Sequence, residues 1–211
     1  YLYIASQLGY MLATPTVTGR TFEKLRYNDK RVADNNEAPF PFLSTQSISG
    51  SNGLPVNFNG AALPQLGLTR VYVITTGDTC SASEAIMNSL RPFVNIVQIG
   101  STTCGKPYGF SAQDNCGTSY FPIEFEGVND LGQGGFSNGF TPNGGVFQGC
   151  TVSDDFDRQL GDTSERMLGA AITHRLTGSC PAVVARKESF VSTGKVLLRE
   201  PIRENKFLLG K

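Results

Sequence analysis

The hydrophobic pattern of this chain changes period several times, and each change marks an element. YLYIASQLGYML places Tyr1, Ile4, Ala5, Leu8 and Leu12 at helical spacing, and Pro15 ends the run. Thr21–Tyr27 (TFEKLRY) alternates as an edge strand does. Residues 28–68 are rich in Asn, Pro, Ser and Gly, and read as an excursion of short strands covering a cleft. Arg70–Thr75 (RVYVIT) is a β-branched run between turn residues, the pattern of a buried strand. A helix over Ala82–Leu90 follows, with Ile86 and Leu90 on one face and Pro92 beyond it, and VNIVQI at 94–99 is a second buried strand. Residues 70–99 therefore predict a βαβ unit with a right-handed crossover and parallel strands.

Downstream, 118–125 reads as a strand and the glycine-rich 127–150 as a long surface loop. Asp162-x-x-Glu165 is a capping box that opens a helix with Met167, Leu168, Ala171 and Ile172 inward, closed by Gly178. A strand-like KVLL at 195–198 precedes a polar, basic tail. No internal repeat stands out. The first helix opens on the first residue with no cap, so an upstream part is expected and a targeting signal would lie there.

Composition narrows the functions. The 211 residues are 39% hydrophobic and 17% charged, enough for one globular domain over 1–211. Lys+Arg and Asp+Glu are 18 each and form no basic ladder, so nucleic acid is not an expected partner. No apolar run has membrane-spanning length. Cysteines stand at 80, 104, 116, 150 and 180 without a C-x-x-C, and His174 is the single histidine, so neither a zinc site nor another metal is expected. Cys104/Cys116 and Cys150/Cys180 are candidate disulfides, with Cys80 left free, the alternative being five buried thiols. Disulfides would imply an oxidising compartment.

The chemistry concentrates at 79–86, TCSASEAI. Ser81-x-x-Glu84 is a capping box, which alone explains both side chains. Ser81 also lies at a strand-turn-helix junction, where helix amides can face a substrate and the Ala82 N–H can hold an oxyanion. G-x-S-x-G is absent, so an α/β-hydrolase elbow is not matched. His174 reads as an ordinary residue of the last helix, which leaves lysine as the base. Adjacent parallel strands end side by side, so Ser81 and Lys106, in TTCGKP after the second strand, could meet. A lysine accepts a proton only when neutral, a state that Phe93, Val97 and Phe110 could favour by desolvation. Against this stands the solvated surface lysine.

The stretch CSASEAIMNSLRPFVNIVQIGSTTCGKPYGF resembles the tail-specific, or C-terminal processing, serine peptidases, whose motif runs S-A-S-E, helix, strand ending in Gly, then T-x-G-K. The resemblance extends over most of the chain. It implies Ser81 as nucleophile, Lys106 as general base, Ala82 in the oxyanion hole, and no cofactor. It also implies an α/β fold of the ClpP/crotonase-like type, a spiral of ββα units with a mostly parallel core sheet. The implied function is a serine endopeptidase acting on extended polypeptides, periplasmic or secreted and bacterial, or anchored through an upstream segment. No PDZ domain is visible in these residues. The family's D-L-R-x-N-x-G-G segment, which completes its oxyanion hole, is also not seen, so the fragment could be folded yet inactive. The family often carries a glutamine four residues after the lysine; here Phe110 stands there, with Gln113 off register. Glu84 reads first as a capping residue, the alternative being an interaction with the site. The alternative function is a non-catalytic module of the same fold that binds a peptide or an apolar ligand.

Overall fold

The computed structural model describes residues 2–49 and 55–182. The expected strand at 195–198 and the basic tail lie outside the described residues. The elements run α1 (Leu2–Ala13), β1 (Thr21–Tyr27), a 3-10 turn at Val32–Asn36, β2 (Phe40–Pro41), β3 (Thr45–Ser49), β4 (Pro55–Ala62), β5 (Arg70–Thr75) and α2 (Ala82–Leu90). They continue through β6 (Asn95–Gly100), β7 (Tyr108–Gly109), β8 (Gln113–Asn115), β9 (Thr118–Tyr120), β10 (Phe125–Val128), β11 (Gln148–Thr151) and α3 (Arg166–Thr177).

The β5-α2-β6 unit forms as its pattern predicts. β5 and β6 run parallel, with Arg70 opposite Asn95 and Thr75 opposite Gly100. β11 adds in parallel on the other side of β6, giving the order β11-β6-β5. Among the described residues, parallel pairing is confined to these three strands. The larger sheet, β2-β1-β10-β7, is antiparallel throughout, so the expected mostly parallel core is corrected to a mixed one. β1 is an inner strand of that sheet rather than an edge: its second partner, β10, lies a hundred residues away, beyond the reach of local alternation. The run at 118–125 is split into β9 and β10, since Pro122 has no N–H to give a ladder.

Two cores fill the space between these layers. The larger joins Phe22, Phe42, Met87, Leu90, Val94 and Ile96 to Phe136, Phe140 and Phe147. The glycine-rich stretch expected on the surface thus contributes three buried aromatic rings. The smaller core packs Met167, Ala170 and Ala171 of α3 on Val97, Ile99 and Cys150. Helix α1 forms as expected but is rotated about its axis, so that of the expected set Ala5 is buried and Leu12 half-buried. Ala5, Ser6, Gly9 and Tyr10 are buried, while Ile4 (53%) and Leu8 (44%) are exposed. The Phe42 ring accounts for the choice, because a Cβ on Gly9 would lie 2.9 Å from its Cε1. Helix α3 starts at Arg166: the Glu165 carboxylate accepts from the Met167 and Leu168 amides, while Asp162 is occupied by Ser164. Gly178 closes it in the left-handed conformation, φ 74°.

Candidate active site

Ser81 sits where β5 ends and α2 begins, after the turn at residues 76–80. Its backbone is unusual for a serine, with φ 59° and ψ −114°. An ordinary N-cap is extended with negative φ. Positive φ in a residue with a Cβ costs on the order of 1–3 kcal/mol and persists only where the surroundings impose it. The helix starts at Ala82, whose N–H lies in the first turn and finds no partner within the helix.

Glu84 imposes much of the local order. Its side chain is fully buried, and its carboxyl group accepts four hydrogen bonds from two separate chain segments. From the turn before α2 comes the Ser81 N–H, 3.0 Å to Oε2. From the segment after β6 come the Lys106 N–H, 2.8 Å to the same oxygen, the Gly105 N–H, 2.8 Å to Oε1, and the Thr103 hydroxyl, 2.5 Å to Oε1. The backbone nitrogens of Ser81 and Lys106 share one acceptor atom. Their separation therefore cannot exceed the sum of those two bond lengths. Sequence reasoning put the capping role of Glu84 ahead of an interaction with the site; the carboxyl group does both, joining the two loops that the parallel pairing of β5 with β6 brings together.

Further links reinforce that junction. The Cys104 N–H donates to the Thr79 carbonyl at 3.0 Å, and a disulfide joins Cys80 to Cys104 with a Cα–Cα distance of 5.3 Å. This corrects the expected Cys104/Cys116 pairing. Cys116 is an exposed free thiol in the β8–β9 hairpin, whereas Cys80 and Cys104 are brought together by the same strand alignment that gathers Ser81 and Lys106. Cys150, at the end of β11, is joined to Cys180, just past α3.

The segment carrying Lys106 is also supported from behind. The Thr103 N–H donates to the Phe140 carbonyl, and the Phe140 N–H donates to the Thr103 hydroxyl. Gly105 has φ 79°, and a Cβ there would lie 2.2 Å from the Ser137 carbonyl oxygen, so glycine is required. Lys106 is half-buried. Of the apolar residues expected around it, Phe110 stacks edge-on with Phe121, Phe93 packs on Phe42 and Arg20, and Val97 lies in the α3 core. Gln113 is exposed in β8. His174 lies on α3 against Tyr72, with its Nδ1 3.4 Å from the tyrosine hydroxyl. It belongs to the helix–sheet contact. Among the described residues, no group of three or more His, Cys, Asp or Glu side chains could hold a metal ion, and no helix is long and apolar enough to cross a membrane.

No family model matches the chain, and no curated protein matches it by sequence. Its fold does match a solved one. The crystal structure of a "Putative S41 protease" from Bacteroides fragilis NCTC 9343 superposes with a TM-score of 0.62 at 24% sequence identity. The match covers 85% of this chain and 42% of that one, so the chain spans less than half the length of its structural neighbour. At this identity the likeness is one of fold: a mixed α/β domain with a parallel sheet, shared with that protein.

Proposed function

We propose that this chain is the catalytic part of a serine endopeptidase working through a Ser81–Lys106 dyad. The observation that carries the reading is the single buried carboxyl group of Glu84, which binds the backbone of both residues. A cap alone has no use for the lysine segment. Ser81 attacks the peptide carbonyl, Lys106 takes its proton and passes it to the leaving amine, and the Ala82 N–H stabilises the oxyanion. Water then hydrolyses the acyl-enzyme. The conformation of Ser81 supports this, since a strained strand-to-helix turn lifts a nucleophile out of the backbone. The fold shared with a protein described as a protease points the same way.

Extended polypeptides are the substrates that fit best. β7 (Tyr108–Gly109) begins two residues after Lys106 and is the outer strand of its sheet, so an extended chain can pair along it toward the dyad. The complete fold is read as the ClpP/crotonase-like spiral, of which β5-α2-β6-β11 is the turn holding the dyad. Two disulfides favour an oxidising compartment, periplasmic or extracellular.

Fluorophosphonate labelling of the intact protein tests the reading. Ser81 becomes the labelled residue, and Lys106→Ala reduces the rate by about 100-fold or more, the usual scale of a general base. Labelling that survives Lys106→Ala removes lysine as the base. A Ser81 that never reacts favours the non-catalytic binding module.

A further inference from the structure

The residue preceding the nucleophile and the residue two before the lysine are covalently joined. Resting on the dyad reading above, we infer that Cys80 and Cys104 are positioning residues and that their disulfide makes the reactivity of Ser81 depend on redox state. The bond ties down the N-terminal side of a residue whose backbone needs external constraint. On its C-terminal side Ser81 is already fixed by α2, and its own N–H by Glu84. On its N-terminal side the Cys104 N–H donates to the Thr79 carbonyl across the same junction, next to the disulfide. Cys104 is exposed and Cys80 half-buried, so a small thiol reaches the sulfur pair from solvent. A dithiol attacks one sulfur and releases the other as a thiol. Its second sulfur then displaces the first, leaving two protein thiols and a cyclic oxidised dithiol. With the tether open, Ser81 can relax from positive φ, and its hydroxyl and the Ala82 amide lose their setting against Lys106. Glu84 still spans both segments, so reactivity falls without the fold being lost.

The test compares fluorophosphonate labelling rates of Ser81 in the intact protein when oxidised, when reduced with dithiothreitol, and as Cys80→Ser/Cys104→Ser. The last two label about tenfold more slowly, with circular dichroism unchanged, as expected when Ser81 is no longer held in its positive-φ conformation. Cys150→Ser/Cys180→Ser labels at the full rate when oxidised and slows on reduction, which assigns the effect to the bond beside Ser81. Reoxidation restores the rate. Should the Cys80→Ser/Cys104→Ser protein not fold, reduction of Cys150→Ser/Cys180→Ser under conditions that preserve its circular dichroism makes the same comparison. Equal, measurable labelling rates in every form overturn the inference. Amide hydrogen exchange at Gly105 and Lys106 separates it from the dyad reading: exchange accelerates on reduction if the disulfide positions this segment. An oxidised protein that is never labelled refutes the dyad. Unchanged exchange then refutes the tether as well, whereas faster exchange sustains its positioning role.

Discussion

Glu84 and Glu23 are both acidic residues removed from full contact with water, and their surroundings give them different consequences. Glu84 meets four donors, each of which needs an acceptor in the dry interior. Glu84→Gln turns an amide NH₂ toward backbone N–H groups and leaves some of them unpaired, at about 1–3 kcal/mol for each unsatisfied group. Urea unfolding checks this, with Glu84→Ala expected to be worse because it orphans all four. Glu23 on β1 lies over Gly127 of β10, so closely that a Cβ on the glycine would fall 2.1 Å from Glu23 Oε1. Burial pushes its carboxyl group up from 4.5 to about 7. The folded state therefore keeps a proton that the unfolded chain releases at lower pH, and stability from this group is complete below about 4.5 and lost as pH rises to about 7. Glu23→Gln, which cannot ionise, should raise the melting temperature at pH 8 relative to the parent and change it much less at pH 5. Equal effects at both values would show that Glu23 titrates normally.

At the scale of elements, the segment after β6 is set by backbone contact rather than by side-chain preference. Gly105 and Gly139 each face a carbonyl at a distance no Cβ tolerates, Gly105 against Ser137 and Gly139 against Thr103. The two loops consequently pack backbone to backbone. Gly105→Ala introduces both the collision and a left-handed alanine, and should destabilise the fold by about 1–3 kcal/mol. It should also slow Ser81 labelling, because Lys106 moves with the loop. A variant that keeps parental stability and labelling would mean that this contact is dispensable. The buried Gln98 has a parallel role at the strand ends: its side-chain NH₂ donates to the Thr75 hydroxyl and the Phe140 carbonyl. It links β5, β6 and the aromatic loop, and a single polar letter in an apolar run gives no hint of that position.

For the whole molecule, the two disulfides staple different regions. Cys80–Cys104 closes a loop with a sequence separation of 24, and Cys150–Cys180 one of 30 that ties β11 to the chain beyond α3. Loop-closure entropy assigns each about 3–4 kcal/mol. Losing one should lower the melting temperature by on the order of 10 °C in a domain of this size. Calorimetry of Cys150→Ser/Cys180→Ser checks this away from the candidate dyad. The smaller core, in which Met167 and Ala171 of α3 meet Ile99 and Cys150, gives that bond its structural context.

The sequence by itself determined the elements whose signals are local. β5, α2 and β6 follow from β-branched runs, a capping motif and Pro92, and their order requires a parallel pair with Ser81 and Lys106 beyond the strand ends. The motif around Ser81 and Lys106 was readable for the same reason, since both residues flank one contiguous βαβ unit. Tertiary structure decided everything that depends on partners far along the chain. Burial of the Gly9 face of α1 was set by the Phe42 ring, and β1 became an inner strand through β10. The pairing of Cys80 with Cys104 and the four-fold use of Glu84 came from strand alignment. Hydrophobic period reports whether a residue is apolar in its own window; which surface it meets is fixed by contacts that no window contains.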